Sequence, residues 1–239
     1  MYTDEYPYLL SVIIPVYNEE RTILKVIHEV QKVPLEKQII IVNDASTDNT
    51  KDYLSSISSS NIHILNHRTN LGKGCAIQTA IPYLKGRFTV IQDADLEYCP
   101  GEYLDLIQPF QNSQVAAVYG SRFLKLTSKK HLYRHHYWGN KMLNVLTNAL
   151  YGSQLSDIES CYKMIRTDIL RKLQLTSTGF EIEPEITIKL LSRGVHIHEI
   201  PITYHPRTFE EGKKMRWWNG FAALKTILKY RLVRSLGWQ

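Results

Sequence analysis

Short apolar runs alternate with amphipathic segments through the first half of the chain. The runs predict five buried strands, at residues 9–16, 38–42, 61–65, 88–92 and 115–119. Between them, apolar positions at helical spacing predict helices at residues 19–31, 50–58 and 72–84, and Pro100 stands where a further helix would begin. This alternation predicts an α/β fold: a mostly parallel, Rossmann-like sheet flanked by helices on both faces.

The second half of the chain has a less regular pattern. Residues 141–151 and 183–193 predict helices, and residues 160–165 and 195–200 predict strands. No repeat, low-complexity tract or linker interrupts this order. We therefore expect one domain over residues 1–212, followed by a C-terminal helical segment over residues 213–239.

The C-terminal segment reads as a basic amphipathic helix at residues 215–236. Its apolar stripe comprises Trp217, Phe221, Leu224, Leu228 and Leu232, while Lys225, Lys229 and Arg234 fall elsewhere. Such a helix is typical of a membrane surface, where cations add attraction to anionic lipid. Packing on its own domain or on a neighbouring subunit would give the same pattern. Large apolar residues between the cations disfavour nucleic acid as a partner.

Composition limits the class of protein. The 239 residues are 44% hydrophobic and carry a formal net charge of +6, which favours an anionic partner such as a nucleotide or a lipid phosphate. Three widely spaced cysteines disfavour a disulfide framework or a zinc cluster and suit a reducing compartment. The N-terminus does not read as a signal peptide, and no apolar run approaches the ~20 residues of a membrane span. We therefore expect a cytoplasmic protein.

Two carboxylates follow the predicted fourth strand directly. Asp93 and Asp95 stand at a spacing of two, with Glu97 shortly after them. Ligands bind at the carboxyl ends of strands in α/β sheets, and buried acids are costly unless they are paired or bind a cation. Hard oxygen ligands in this place suit Mg²⁺ or Mn²⁺ that carries a diphosphate. Loop or helix-cap residues are the alternative interpretation.

Other polar loops are predicted to meet these acids at the same sheet edge. Pro15, Tyr17 and Glu19 follow the first strand, and Asp44 follows the second. Asp44 could accept a hydrogen bond from a base N–H while Tyr17 packs on the base, although Asp44 could also cap a helix. Lys73 stands between two glycines, where it could meet phosphate, but the segment matches neither the P-loop nor the Rossmann fingerprint.

Taken together, these motifs resemble those of a known family. They are Val12-Ile-Ile-Pro-Val-Tyr-Asn-Glu-Glu20, Val42-Asn-Asp44, Asn70-Leu-Gly-Lys-Gly74 and Gln92-Asp-Ala-Asp-Leu96. The set resembles the family 2 glycosyltransferases of the GT-A fold, and in particular the polyprenyl-phosphate branch that includes the dolichyl-phosphate mannose synthases. The resemblance extends from about residue 10 to residue 230.

The resemblance implies a role for each matching position. The nucleoside would be held by Pro15, Tyr17, Glu19 and Asp44, and the metal and diphosphate by Asp93, Asp95 and Glu97. Glu97 departs mildly from the Gln that is frequent in the mannosyl branch. Gly120-Ser121-Arg122 would place Arg122 near the phosphates. A basic loop from Arg207 to Lys214, with Arg207, Lys213 and Lys214 as its cations, would close over them.

The segment from Asp157 to Lys163 matches a family motif loosely, with Cys161 in place of the usual glycine. Asp157 thereby becomes the candidate acid/base or acceptor-orienting residue, with a helix or turn cap as the alternative. Glu181 and Glu183 would lie near the sugar pocket, unless they are plain exposed acids.

The resemblance implies an inverting, metal-dependent hexosyltransferase on the cytoplasmic face of a membrane. The donor would be a nucleotide-diphosphate sugar of the GDP-mannose or UDP-glucose type, with a slight preference for GDP-mannose, and the acceptor a polyprenyl or dolichyl phosphate. A saccharide hydroxyl is the alternative acceptor, and Asp157 would then be a true base. A nucleotidyltransferase and a non-enzymatic membrane-binding module are weaker readings. A homo-oligomer and a membrane partner subunit both stay open.

Overall fold

The structure, a computed structural model, describes residues 6–124, 134–207 and 219–235. Within them lies one seven-stranded sheet in the order β3-β2-β1-β4-β6-β5-β7. Its strands are β1 (Tyr8–Val16), β2 (Lys37–Asn43), β3 (Ile62–Asn66), β4 (Gly86–Ile91), β5 (Ala117–Ser121), β6 (Lys163–Arg166) and β7 (Ile197–Pro201). All seven strands predicted from the apolar runs are confirmed, with ends shifted by a few residues.

Eight α-helices connect or follow the strands in the described parts of the chain. They are α1 (Ile23–Lys32), α2 (Thr50–Ser55), α3 (Lys73–Ala80), α4 (Tyr103–Ile107), α5 (Arg134–Tyr151), α6 (Thr167–Lys172), α7 (Ile182–Ser192) and α8 (Asn219–Ser235). The pattern missed α6, which is short and follows β6 directly. The helix predicted over residues 72–84 ends at Ala80 and continues as a 3-10 turn, since Pro82 has no N–H to donate.

The direction of β6 is what positions the functional edge of the sheet. β1 pairs in parallel with β2 and β4, whereas β6 runs antiparallel to both β4 and β5. The sheet is therefore mostly parallel, with one reversed strand. Because β6 is reversed, the segment that leads into it lies at the edge where β1, β2, β4 and β5 end.

The core lies on both faces of the sheet because successive strand residues point to opposite sides. On β1, Leu10, Val12 and Ile14 pack against the buried faces of α1 and α4. Ile13, the residue between them, points to the other face, where α3, α7 and α8 pack. This division confirms the expectation that helices cover both faces.

The C-terminal helix α8 packs on the domain and also keeps an exposed apolar face. Ala223 and Ile227 are buried, and Tyr151 donates a hydrogen bond from its hydroxyl to the carbonyl of Ile227. Phe221 and Leu232, from the predicted stripe, are each 63% exposed. The predicted stripe is thus only partly buried: Leu224 packs against the core, whereas Leu228 is exposed like Phe221 and Leu232. The start of the predicted helix, including Trp217, lies outside the described residues.

Candidate functional site

The loops at the carboxyl edge of the sheet enclose a cleft of about 340 Å³. Eleven of the residues singled out from the sequence line it, namely Pro15, Tyr17, Glu19, Asp44, Lys73, Asp93, Asp95, Glu97, Arg122, Glu183 and Arg207. These residues come from seven separate stretches of the chain, which the fold of the sheet brings to one edge. Lys213 and Lys214, also predicted to act here, lie outside the described residues.

Hydrogen bonds between two loops stabilise the end of the cleft nearest β1 and β2. The Asn18 side chain accepts a hydrogen bond from the backbone N–H of Thr47, and the backbone N–H of Asn18 donates to Ser46 Oγ. Thr50 Oγ1 accepts from the backbone N–H of Glu19. Asn18 has a positive φ of 49°, a conformation that asparagine tolerates better than most residues. The sharp turn fixes the positions of Tyr17 and Glu19 at the cleft.

Asp44 is the buried anchor of the loop that leads into α3. Its Oδ1 accepts from the Leu71 N–H at 2.8 Å and lies 2.6 Å from His67 Nδ1, and its Oδ2 accepts from the Gly72 N–H at 2.7 Å. The residue is only 3% exposed. Asp44 therefore lines the predicted base-binding end, but much of its acceptor capacity holds its own loop. The sequence analysis missed His67, which has no motif around it.

The two glycines around Lys73 are required by close backbone contact. A Cβ on Gly74 would lie 2.1 Å from the carbonyl oxygen of Ser177, and one on Gly72, whose φ is +96°, would lie 2.4 Å from that of Thr178. No larger residue fits such a contact without backbone movement. The two glycines thus allow the start of α3 to pack closely against the segment before α7. Lys73, which lies between the two glycines in sequence, lines the cleft.

Lys73 connects two acids instead of standing free for phosphate. Its Nζ lies 2.7 Å from Asp93 Oδ1 and 2.9 Å from Glu183 Oε1, and Lys163 Nζ lies 2.6 Å from the other oxygen of Glu183. Burial lowers the pKa of Lys73, but the carboxylates of Asp93 and Glu183 outweigh it and hold that pKa well above its usual value. Glu183 is thus a buried, charge-compensated residue of the cleft and not an exposed acid.

Asp95 is paired with Arg207, the first residue of the predicted basic loop. Arg207 Nη2 lies 3.3 Å from Asp95 Oδ2, and the same guanidinium holds Glu19 through two hydrogen bonds of 2.9 and 3.0 Å. Burial raises the pKa of Asp95 to about 8, with repulsion from Asp93 and Glu97 adding to the shift and Arg207 opposing it. Asp93 and Asp95 repel each other, and among the described residues Lys73 and Arg207 pair with them. Such a pair of acids is suited to bind a divalent ion.

Glu97 does not share this arrangement. Its Oε2 accepts from the Tyr204 hydroxyl at 2.8 Å and its Oε1 from the Arg207 N–H at 2.7 Å. Within the described parts of the chain, no three His, Cys, Asp or Glu side chains come together as a metal-binding group. Each Glu97 oxygen thus accepts one hydrogen bond from the segment 204–207, and the role of Glu97 as a third metal ligand beside Asp93 and Asp95 stays a prediction.

Asp157 is buried behind Arg122, and its contacts bear on the two roles that the sequence left open for it. Both of its oxygens accept hydrogen bonds from the Arg122 guanidinium, at 2.8 and 2.7 Å, and Oδ2 accepts a third from the Arg122 backbone. The residue is 0% exposed. A carboxylate engaged in this way is costly to separate from its ion pair, which favours the acceptor-orienting role, exerted through Arg122, over that of a general base.

Glu159 is a cleft residue that the sequence analysis missed. It follows Asp157 closely and lines the cleft, with its Oε1 sealed from solvent and without a hydrogen-bond partner among the described residues. Burial raises its pKa to about 7; Lys163 opposes the shift and Glu183 adds to it. An acid two residues from a matching motif position carried no signal of its own. Buried polar atoms are normally paired, which makes Glu159 unusual among the acids of the cleft.

A family model describes most of this chain. The model of glycosyl transferase family 2 matches residues 11–174. The low-salt glycan biosynthesis hexosyltransferase Agl6 of Haloferax volcanii is 30% identical over 207 residues, which are 84% of this chain and 49% of Agl6. This chain therefore spans about half the length of that relative.

Two more comparisons extend the picture. The polyprenol monophosphomannose synthase of Mycolicibacterium smegmatis is 25% identical over 205 residues, covering 82% of this chain and 77% of that protein. The crystal structure of glucosyl-3-phosphoglycerate synthase from Mycobacterium tuberculosis, in complex with Mn²⁺, UDP and phosphoglyceric acid, superimposes with a TM-score of 0.70 at 19% identity, over 94% of this chain and 79% of that one. This likeness confirms the expected GT-A fold.

Proposed function

The chain belongs to glycosyl transferase family 2, and from this premise we propose that it transfers a hexose from a nucleoside-diphosphate sugar to a polyprenyl phosphate. The observation that carries the proposal is the half-buried pair Asp93 and Asp95, each ion-paired with a cation, in the lining of the cleft. The names of two relatives, a hexosyltransferase and a polyprenol monophosphomannose synthase, support the same reaction class. Both GDP-mannose and UDP-glucose types of donor stay open.

The donor would lie along the sheet edge in the order of the strands. Pro15, Tyr17 and Asp44 offer surfaces for the nucleoside beside β1 and β2, and Asp93 and Asp95 follow β4. Mg²⁺ commonly binds through one or two carboxylates together with substrate phosphates, which the pair Asp93 and Asp95 fits. The Mn²⁺ in the related synthase structure supports a divalent ion. When bound, the ion would supply charge stabilisation for the leaving diphosphate.

The cations of the cleft have partners that a donor would reorganise. Lys73 and Arg207 now pair with Asp93 and Asp95, so a metal ion at those acids would release one partner of each cation, while Glu183 and Glu19 keep both side chains at the cleft for phosphate oxygens. Arg207 is well suited to this, because guanidinium groups bind phosphate through paired hydrogen bonds. The undescribed loop after Arg207 contains Lys213 and Lys214, which we propose as further phosphate contacts.

The acceptor step requires little from a base. An oxygen of the acceptor phosphate forms the new bond to the anomeric carbon while the bond from that carbon to the diphosphate oxygen breaks, with inversion. A phosphate monoester has its second pKa near ~6, so the attacking group is already largely a dianion at neutral pH. Arg122, held at the cleft by Asp157, would orient this dianion. The engagement of Asp157 favours a phosphate acceptor over a saccharide hydroxyl, whose proton would need a base.

A membrane-facing surface supports a lipid acceptor. Helices α5 and α8 pack together, and their sequences contain no acidic residue. Their outward faces expose large apolar side chains, each at least 43% exposed, namely Trp138, Met142, Val145, Phe221, Leu228 and Leu232. Lys141, Lys225 and Lys229 are exposed beside them. We call this set the α5–α8 surface, and we propose that it binds the anionic cytoplasmic face of a membrane.

No helix in the described parts of the chain has the length and hydropathy needed to cross a bilayer.

The proposed reaction is tested by a donor and acceptor screen. GDP-mannose and UDP-glucose are each incubated with Mn²⁺ or Mg²⁺ and either a short polyprenyl phosphate or methyl glycosides, and released nucleoside diphosphate is quantified. The proposal predicts acceptor-dependent release with the polyprenyl phosphate and background release with the glycosides. Faster release with a glycoside acceptor would instead identify the saccharide-hydroxyl reaction.

A further inference from the structure

The segment that leads into β6 holds one carboxyl in the cleft that the proposed reaction does not yet use. The backbone N–H of Ile158 donates a hydrogen bond to Asn144 Oδ1. Lys163 Nζ donates hydrogen bonds to the backbone carbonyls of Ile158 and Ser160. These contacts fix the chain on both sides of Glu159. The side chain of Glu159 is therefore presented to the cleft by a rigid backbone, as expected for a residue that recognises a ligand.

The order of the strands in the sheet indicates which part of a bound nucleotide-sugar donor would lie beside Glu159. From β2 the strands follow as β1, β4 and β6, about 4.8 Å apart, and because β6 is reversed its leading segment lies beside the end of β4. Asp44 is at the β2 end of this row, and Asp93 follows β4. If the nucleoside lies at β2 and the diphosphate at β4, the next group along the same line is the hexose, at β6.

The chemistry of Glu159 suits a sugar hydroxyl. Its Oε1 is buried without a hydrogen-bond partner among the described residues, whereas Glu183 and Asp157 nearby are held by Lys73, Lys163 and Arg122. Lys163 and Arg122 already lie near the Glu159 carboxyl, so a further cation is not the ligand that we expect there. A hydroxyl group, which donates one proton and accepts others, fits either protonation state of the acid.

We propose that Glu159 is the residue that recognises the transferred hexose, by a hydrogen bond between its carboxyl and one hydroxyl of the sugar ring. This proposal rests on the proposed function, because it assumes a nucleoside-diphosphate hexose in the cleft. Glu159 contributes to discrimination between hexoses, since a buried polar group left unpaired by the wrong sugar is costly. It does not contact the base or the diphosphate.

The proposal is tested by titration calorimetry of two ligand pairs in the presence of Mn²⁺: UDP with UDP-glucose, and GDP with GDP-mannose. Each pair compares the same nucleotide with and without its sugar. For the pair that the wild-type protein binds, E159A should weaken the sugar nucleotide about ten- to a hundredfold and leave the nucleoside diphosphate within about twofold. E159Q, which keeps the shape and can still hydrogen-bond, should lose less than E159A.

Deoxy analogues of the same donor identify the hydroxyl. In the wild-type protein, one of the 2-, 3-, 4- and 6-deoxy sugars should lose affinity, and in E159A that same analogue should bind like its parent. D168A is the control, because Asp168 is half-buried, pairs with Arg166 and does not line the cleft; it should keep the wild-type ratio of affinities.

The results distinguish failure of the proposed function from failure of the recognition role of Glu159. If the wild-type protein binds none of the four nucleotides, the proposed function fails and Glu159 falls with it. If nucleotides bind but E159A and E159Q keep the wild-type ratio of sugar nucleotide to nucleoside diphosphate, the recognition role is overturned while the proposed function stands. Unchanged donor affinity with a collapse in turnover would likewise overturn it, because Glu159 would then act on the acceptor.

Discussion

Arg122 and Asp157 form a buried ion pair, with two hydrogen bonds of 2.8 and 2.7 Å between guanidinium and carboxylate. A third hydrogen bond joins the Arg122 backbone to the same carboxylate. The pair ties the end of β5 to the segment that leads into β6, and it leaves the guanidinium at the wall of the cleft. Asp157 thus acts on the site through Arg122.

Breaking this pair should destabilise the protein strongly. D157N removes the charge but keeps the shape, so Arg122 becomes an uncompensated buried cation, and we expect a loss of about 3–5 kcal/mol in the free energy of unfolding. Urea unfolding measures it. D168N breaks the exposed pair between Arg166 and Asp168 and should cost less than about 1 kcal/mol. Equal stability of D157N and the wild-type protein would contradict the positioning role.

Asp95 should make the metal-free protein less stable as the pH rises. Its folded-state pKa of about 8 lies above the unfolded value of about 3.9, so the folded state binds the extra proton between these values. Stability contributed by this group is therefore lost between about pH 4 and pH 8. With EDTA present, D95N should unfold at a higher temperature than the wild-type protein at pH 8, and the difference should shrink at pH 5.

The same variant separates folding from metal binding. In D95N, added Mn²⁺ with nucleotide should raise the unfolding temperature much less than in the wild-type protein, because one of the two carboxylates is gone. A D95N protein that gains as much from Mn²⁺ and nucleotide as the wild-type protein would exclude Asp95 from the metal site.

The close contact at Gly74 predicts a sharp difference between two glycine substitutions. G74A places a methyl group 2.1 Å from a backbone carbonyl oxygen and should destabilise the protein, with more loss if the start of α3 shifts and carries Lys73 out of the cleft. G139A is the control, because Gly139 is in α5 with nothing within 4 Å of the added methyl. It should be neutral or stabilise by up to about 1 kcal/mol. Thermal unfolding of both variants is the measurement.

The α5–α8 surface predicts selective loss of membrane binding. K225E/K229E reverses the charge of two lysines beside the exposed apolar residues. Each lysine contributes on the order of 1 kcal/mol of binding free energy at an anionic surface. Flotation with vesicles that contain phosphatidylserine should fall markedly, while nucleotide affinity stays unchanged. K25E/K51E makes the same charge change on α1 and α2 and should float like the wild-type protein. Equal flotation of both double variants would remove this surface as the docking site.

Much of the fold could be read from the sequence because strand burial leaves a direct trace. Each parallel strand is buried on both faces, so β2 appears as the uninterrupted run of residues 39–42. The reversal of β6 left no such trace, since direction depends on the path of the chain and not on local composition. The face by which α8 packs was hidden for a related reason: small or polar residues such as Ala223 can be buried when the neighbouring helix comes close.

The site was readable only in part, and the gaps have a common cause. Motifs identified which acids and cations reach the sheet edge, but not which of them neutralise each other. The resemblance to the family's motifs made Asp157 a candidate base and Glu97 a candidate metal ligand, whereas their partners Arg122 and Tyr204 are distant in sequence and carried no such signal. Glu159 was overlooked, since its Oε1 can be recognised as lacking a hydrogen-bond partner only from the neighbouring residues that the structure describes.

The most direct measurement is transfer of radiolabelled hexose from UDP-glucose or GDP-mannose to polyprenyl phosphate in vesicles, with extraction of the lipid product. The account predicts labelled lipid that requires Mn²⁺ or Mg²⁺, disappears with EDTA and is lost in D95N. Labelled lipid formed at the wild-type rate by D95N, or by the wild-type protein in EDTA, would contradict it.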